Sequence, residues 1–165
     1  LDMAIHTFDA ARFIAGADPL SVFCQEWNPA GSWYDHHASA TATFQMSGGI
    51  VYGYRGIGER GAEHFLEADW RIIGTKGSVR WDGETGFKTQ VVVKVGGFFS
   101  EWQDLELAEY EKTEKTGGHA GLIRDFLTCV ETGRTPETIC SDNIHSLEMV
   151  FGAIQSAETG GIISF

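Results

Sequence analysis

Residues 37–57 read HASATATFQMSGGIVYGYRGI, and this stretch decides the predicted fold. Apolar and polar residues alternate on both sides of Ser47-Gly48-Gly49, a pattern typical of two antiparallel strands joined by a tight turn. The same period-two pattern, interrupted by glycines, extends from Leu20 to about Leu107. It predicts six or seven mostly antiparallel strands, with candidates at Leu20–Trp27, His37–Met46, Ile50–Ile57, Trp70–Gly74, Ser78–Asp82, Thr89–Val95 and Trp102–Leu107.

Helical periodicity flanks this strand-rich block on both sides. Glycines and a proline end the apolar stripes, as they commonly do at helix C-termini. We expect helices at Leu1–Ala15, at Leu122–Val130 and from an N-cap at Ser141 or Asp142 to Gly160-Gly161, and a closing strand at Ile162–Phe165.

This order of elements predicts an α+β fold. We expect one domain over residues 1–165, with an open, mostly antiparallel sheet and helices packed on one of its faces. The strands at Ile50–Tyr54 and Thr89–Val95 offer apolar side chains to both faces. Since a sheet that is apolar on both sides usually packs against a second sheet or subunit, we expect the other face to serve oligomerisation, as a homodimer or homotetramer.

Composition excludes several classes of partner. The 165 residues carry 12 Lys+Arg and 23 Asp+Glu, so the formal charge is 12 − 23 = −11. Nucleic acid and anionic membranes need a basic surface, so neither is expected as a partner.

Three cysteines without C-x-x-C spacing predict reduced thiols in a cytoplasmic protein. The chain starts at Leu1 inside a helical pattern, so we expect it to be a fragment.

The segment LDMAIHTFD holds the candidate chemistry. At about 100° per residue, Asp2, His6 and Asp9 share one helix face. A carboxylate one turn before a histidine can fix the imidazole tautomer and raise its basicity, as a general base requires. A surface ion pair or a buried structural histidine is the alternative that the residues alone leave open.

Other candidates lie in the strand block and after it. Trp33 belongs to a polar aromatic segment that could stack on a sugar ring, or simply form a loop of stacked aromatics. Since Tyr54 and Arg55 are adjacent on a strand, only one of them can face the helices. His119 follows Gly117-Gly118 and could line a pocket or merely start a helix. A weaker alternative is a metal-dependent isomerase or lyase that uses Asp2, His6 and His36 or His37.

The opening LDMAIHTFDAARFIAG resembles the D-x3-H-x2-D helix that begins the C-terminal domain of the Gfo/Idh/MocA family of NAD(P)-dependent oxidoreductases. WRIIGTKGSVRWDG is similar to the family's I-x-G-T-x-G hairpin, and residues 125–160 are similar to its two final helices. The matching positions in those helices are Phe126, Val130, Gly133, Pro136, Asp142, Ser156, Ala157 and Gly160. The resemblance covers nearly the whole chain and is weakest in the middle.

The resemblance implies the substrate-binding and dimerisation domain of an oxidoreductase that acts on the CH–OH group of a sugar, inositol or related polyol. His6 would be the general base and Asp2 would orient it, while Asp9 would anchor the helix. In this family the strand that carries Tyr54 and Arg55 often faces the substrate or a dimer partner. With Trp33 and His119, these two residues are the predicted substrate-binding residues. NAD or NADP would bind an N-terminal Rossmann domain, which this chain lacks, so we expect no bound cofactor and no turnover by the chain alone. The alternative is a stand-alone, non-catalytic binding or dimerisation module.

Overall fold

The structure, a computed structural model, describes residues 3–57, 68–82, 86–96, 101–106 and 118–165. The helices in these ranges are α1 (Ala4–Ala15), α2 (Gly118–Thr132) and α3 (Cys140–Thr159). The strands are β1 (Pro19–Trp27), β2 (Ser39–Met46), β3 (Val51–Ile57), β4 (Trp70–Gly74), β5 (Gly77–Trp81), β6 (Phe87–Lys94), β7 (Glu101–Asp104) and β8 (Ile163–Ser164). The predicted α+β class is confirmed, and element ends differ from the prediction by a few residues.

The strands form two sheets. The first sheet has the order β3-β2-β1-β8 and the second sheet has the order β4-β5-β6-β7, with all pairs antiparallel. The chain divides into two units, one of residues 1–60 and 125–165 and one of residues 61–124. The sequence predicts a single open sheet, whereas the described strands make two four-stranded sheets. Period-two alternation identifies strands, but it does not say which of them are neighbours.

The hairpin between β2 and β3 is confirmed. Its register pairs Gln45 with Val51 and Ser39 with Ile57. Gly48 and Gly49 have φ angles of 70° and 75°, in the left-handed region where glycine carries no steric penalty. The composition of the turn therefore sets the register of the two strands.

In the first unit, α1 and α3 cover one face of the first sheet. Phe8 of α1 and Phe44 of β2 are almost completely buried, and their rings meet edge to face with centroids 5.0 Å apart. Met149 and Ala153 of α3 are fully buried in the same core. The prediction that helices pack on one face of the sheet is confirmed for these two helices, and the burial of their apolar stripes holds the unit together.

The ends of the helices follow the predicted glycines, but one predicted cap is wrong. Gly16 ends α1 in a left-handed conformation with φ 57°, and Gly160 ends α3 in the same way. The expected N-cap of α3 at Ser141 or Asp142 does not form, because the helix begins at Cys140 and Ile139 occupies the cap position without a side-chain bond. Asp142 lies in the first helical turn and binds Arg12 instead.

In the second unit, the hairpin between β4 and β5 pairs Gly74 with Gly77, as the G-T-x-G motif predicts. A Cβ on Gly77 would lie 2.2 Å from the backbone oxygen of Gln90 in β6, whereas a Cβ on Gly74 would meet nothing closer than 3.8 Å. The second glycine of the motif thus permits the close approach of β5 and β6.

The apolar stripe of α2 is more than half exposed in the described structure. We expected this stripe to pack against the sheet together with the other two helices. Its members are Leu122, Ile123, Phe126, Leu127 and Val130.

None of the described helices combines the length and the hydropathy that crossing a bilayer requires.

Candidate functional site

His6 lies in the first half of α1 with an exposed side chain. Phe8, two residues later, is buried against the sheet, so the helix is anchored at Phe8 and presents His6 toward solvent. Asp9 shares the face of His6 and is half-buried. Asp2, the predicted partner of His6, lies outside the described residues.

The contacts of α1 fix its direction on the first sheet. Arg12, near the helix C-terminus, binds Asp18, which directly precedes β1. Phe8 contacts Tyr54 of β3 with ring centroids 5.0 Å apart. The N-terminal half of α1 therefore points toward the end of the sheet where β1 and β3 finish and β2 starts, which we call the loop end.

Tyr54 and Arg55 lie on opposite faces of β3, as adjacent strand residues must. Tyr54 faces α1 and is half-buried, whereas Arg55 is exposed on the opposite face of the strand. A ligand at the loop end beside His6 could contact Tyr54, but a ligand bound by Arg55 would lie on the other side of the sheet. Tyr54 and Arg55 therefore cannot both contact a ligand that lies beside His6.

Trp33 and Tyr34 lie in the connection from β1 to β2, and so at the loop end. Their rings stack with centroids 4.3 Å apart and an interplanar angle of 24°. The backbone around them is held by Asn28, whose Nδ2 donates a 2.8 Å hydrogen bond to the Tyr34 carbonyl. Because Trp33 is 70% exposed, the pair offers an aromatic surface to solvent.

Glu26, near the end of β1, is a titratable residue at the loop end that sequence reasoning did not single out. Partial burial raises the pKa of this carboxyl above its ordinary value of 4.5. The negative charge of Glu158 raises the pKa further, while His37 acts in the opposite direction. A carboxyl in this setting holds its proton to higher pH than an exposed one.

Arg12 is the centre of a polar network that joins α1 to α3. Its guanidinium, 7% exposed, binds Oδ1 of Asp18 at 2.8 Å and Oδ1 of Asp142 at 3.0 Å. Nη1 of Arg12 also donates to Oγ of Ser146 at 3.1 Å, and Ser146 donates to Oδ1 of Asp9 at 2.6 Å. The network supports the anchoring role that the resemblance implies for Asp9, because it ties that carboxylate to α3.

Electrostatics within the network favour its charged form. Burial acts to lower the pKa of Arg12, but hydrogen bonds with Asp142 and Asp18 raise it above its ordinary value. The hydrogen bond from Arg12 lowers the pKa of Asp142 below its ordinary value of 3.8. Both groups therefore stay charged at neutral pH.

His119 is exposed in the first turn of α2, and His36 and His37 are exposed in the β1–β2 connection. No group of three or more histidine, cysteine or acidic side chains in the described part of the chain is arranged to hold a metal ion. The metal-dependent alternative also needs Asp2, which lies outside the described residues, so it stays a prediction.

A dinucleotide fingerprint has its glycines at the turn from a strand into a helix. The nearest sequence here is Gly53-Tyr54-Arg55-Gly56-Ile57-Gly58, and its residues through Ile57 belong to β3. This stretch therefore does not form the strand-to-helix turn of a dinucleotide fingerprint.

Sequence reasoning missed the residues that link these elements. Arg12 lies three residues after Asp9, but its partner Asp142 is 130 residues away, and no local pattern predicts that pairing. Glu26 also gave no signal, since its partial burial arises from neighbours in the folded chain. The alternation of β3 did indicate that Tyr54 and Arg55 face opposite ways.

Comparison with known protein families shows the class of protein to which the chain belongs. The family described as "Oxidoreductase family, C-terminal alpha/beta domain" matches residues 1–165. The helix that carries His6 and Asp9 and the α+β architecture agree with this class. The chain belongs to the Gfo/Idh/MocA oxidoreductase family.

Solved structures share the fold. The chain is 24% identical to myo-inositol 2-dehydrogenase from Lactobacillus plantarum, with a TM-score of 0.70 over 100% of this chain and 48% of that one. An oxidoreductase from Agrobacterium radiobacter, solved with NAD+, L-tartaric acid and magnesium, is 21% identical, with a TM-score of 0.72 over 98% and 47% of the two chains. An oxidoreductase domain protein from Kribbella flavida is 14% identical, with a TM-score of 0.77 over 99% and 48%. The chain thus spans about half the length of these structures, and a search of curated proteins found no match.

Proposed function

We propose that the chain is the substrate-binding and dimerisation domain of an NAD(P)-dependent oxidoreductase that acts on the CH–OH group of a sugar, inositol or related polyol. The observation that carries the proposal is the family match over residues 1–165 together with an exposed His6 on α1. Relatives by fold include an inositol dehydrogenase and an oxidoreductase solved with NAD+ and tartaric acid.

In this proposal His6 is the general base. Its imidazole takes the proton of the substrate hydroxyl, while a hydride leaves the same carbon for a nicotinamide ring held by another domain. Asp2, four residues before His6 in the sequence, orients the imidazole. Because α1 is held by the buried Phe8 and by the Arg12 network, His6 projects from a rigid element, which general-base catalysis favours.

Tyr54 and Trp33 are the substrate-binding residues that this geometry supports best. Both belong to the loop end, the end of the sheet toward which the N-terminal half of α1 points. A half-buried phenol offers a hydrogen bond, and an exposed ring offers an apolar face to a sugar. Arg55 stays a candidate for contacts on the other side of the sheet, and His119 stays a candidate for lining the substrate pocket.

We assign dimerisation or tetramerisation to the face of the first sheet that lies opposite α1 and α3. Phe23 and Val51 are exposed apolar residues at positions that alternate with the buried face. Substituting lysine for Phe23 should weaken self-association, which sedimentation equilibrium measures. If the variant and the native protein had the same molecular mass in solution, this assignment would be wrong.

The gene tests the proposal as a whole. We expect the reading frame to continue upstream of Leu1 for roughly 120 residues and to include a strand followed by G-x-G-x-x-G. The 165-residue chain alone should not bind NADH in a fluorescence titration. Tight NADH binding by the chain alone, or a start codon next to Leu1, would instead favour a stand-alone module.

A further inference from the structure

Three cationic side chains lie side by side on one face of the second sheet: Arg71, Arg80 and Lys88. We call them the basic row. Arg71 of β4 is paired with Arg80 of β5, and Arg80 is paired with Lys88 of β6. Directly paired residues of antiparallel strands share a face, and their Cβ atoms lie about 4.5–5.5 Å apart. A chain with a formal charge of −11 thus places three of its 12 basic residues next to one another.

The basic row lines a groove of about 1230 Å³ in the second unit. Ser78 and Gln90, which are also directly paired across β5 and β6, line the same groove two residues along from Arg80 and Lys88. Their side chains offer neutral hydrogen-bonding groups on the face of the basic row. The groove is large enough for a small-molecule ligand, since such sites commonly measure about 300–1,000 Å³.

The middle of the basic row is held in place, while its two ends lack a counterion among the described residues. Arg80 donates from Nε and Nη2 to the two carboxylate oxygens of Asp69, at 3.2 and 2.8 Å. Nη1 of Arg80 takes no part in this pair. Arg71 and Lys88 are exposed, and neither makes a hydrogen bond or an ion pair with any described residue. Because like charges that face each other across strands repel, this arrangement costs stability.

The other carboxylates near the basic row lie at its margins. Asp104 accepts a 3.0 Å hydrogen bond from Nε2 of Gln90, its direct partner on β6. Glu106 lines the groove two residues after Asp104, on the side of β7. Asp82 directly follows β5. No carboxylate is therefore among the residues that are paired across the row.

We propose that the basic row binds the phosphate group of a phosphorylated small molecule. A phosphate above the middle of the row would accept hydrogen bonds from Arg71, from Nη1 of Arg80 and from Lys88, which are strong because donor and acceptor are charged. Its negative charge would replace the repulsion within the row by attraction. Ser78 and Gln90 lie beside that position, where they can bind hydroxyl groups in the remainder of the ligand. The inference uses none of the residues around His6, so it does not depend on the proposed function.

Isothermal titration calorimetry of the native gene product tests binding of two probes, glucose 6-phosphate and inorganic phosphate. We expect both to bind, and we expect added NaCl to weaken binding because salt screens the attraction between charges. Glucose 6-phosphate should bind more tightly, because Ser78 and Gln90 can contact its sugar, which the free ion lacks. Equal affinities would show a site for the free ion and would overturn the assignment to a phosphorylated molecule.

Two variants localise the binding. Arg71→Gln and Lys88→Gln each remove one charge from the basic row, and each should raise the Kd for both probes about threefold to tenfold. Lys94→Gln is the matched control. Lys94 is also an exposed lysine of β6, but its Nζ lies 3.8 Å from Oε1 of Glu101 and it is not among the residues that line the groove. We expect this variant to keep the wild-type Kd.

Thermal unfolding gives a second readout. Without ligand, Lys88→Gln should be at least as stable as the wild type, because it relieves repulsion in the basic row. Inorganic phosphate should raise the Tm of the wild type, since a ligand that binds the folded state stabilises it, and should raise that of Arg71→Gln and Lys88→Gln less. The inference is overturned if neither probe binds, if both variants of the row keep the wild-type Kd, or if Lys94→Gln weakens binding as much as they do.

Discussion

Ser146 Oγ donates a 2.6 Å hydrogen bond to Oδ1 of Asp9, and through this bond α3 holds the helix that carries His6. The same oxygen accepts a 3.1 Å hydrogen bond from Arg12. Ser146 is almost fully buried, so both bonds are shielded from competing water. Asp9 thus anchors the helix that carries His6, the proposed general base.

Removing this link should affect catalysis as well as stability. Ser146→Ala breaks the connection between Asp9 and Arg12, so we expect a loss of about 1–3 kcal/mol in the free energy of unfolding. A small shift of α1 should also lower kcat by up to about a hundredfold. Chemical denaturation and steady-state kinetics of the native gene product measure the two effects.

Ser156→Ala is the matched control. Ser156 is a second buried serine on α3, and it accepts from the Cys24 amide at 2.8 Å and donates to the Gly161 carbonyl at 2.6 Å. We expect a similar loss of stability, but an unchanged kcat and an unchanged pH dependence of kcat, because these bonds reach β1 and not α1. If both variants lost activity in parallel, Ser146 would have only a general structural role.

Asp142 should contribute stability that depends on pH. Its pKa is lowered in the folded chain by the hydrogen bond from Arg12, so the folded state binds the proton less readily than the unfolded state. The contribution is fully present above the ordinary aspartate value of 3.8 and is lost as the pH falls through the lower folded value. Asp142→Asn should therefore flatten the acid side of the stability curve, and urea titrations from strongly acidic to neutral pH measure it. Parallel curves for the variant and the wild type would contradict this assignment.

The G-T-x-G hairpin permits a sharp test of the second sheet. Gly77→Ala places a Cβ 2.2 Å from the Gln90 carbonyl, and because the obstacle is backbone, the β5–β6 pairing must shift. We expect a loss of roughly 1–3 kcal/mol. Gly74→Ala, whose Cβ would meet only an ordinary contact at 3.8 Å, should lose clearly less. Amide hydrogen exchange of residues 77–94 localises the effect, and equal losses in both variants would contradict the close-approach explanation.

Much of this architecture could be predicted from local patterns. Alternation around Ser47-Gly48-Gly49 predicted the β2–β3 hairpin, and Gly16 and Gly160 predicted where two helices end. The division into two sheets could not be predicted, because alternation does not specify which strands pair. The N-cap expected at Asp142 failed for a related reason, since an aspartate suits both a cap and an ion pair, and only the folded chain brings Arg12 beside it.

Less of the candidate site than of the fold could be predicted from the sequence. The helical stripe indicated His6, and strand alternation indicated that Tyr54 and Arg55 diverge. Glu26 had no signal, because its partial burial arises only in the folded chain. Burial and contacts between distant elements arise from packing in the folded chain, and no local sequence pattern specifies them.

The central claim, that His6 is the general base of a polyol oxidoreductase, is tested most directly by kcat of His6→Ala in the native gene product. NADH or NADPH formation from a polyol is followed with the wild type and the variant. The account predicts turnover by the wild type and a decrease in kcat of roughly 10² to 10⁴ in the variant, at unchanged thermal stability. Near wild-type turnover by His6→Ala, or no hydride transfer from any polyol by the wild type, would contradict it.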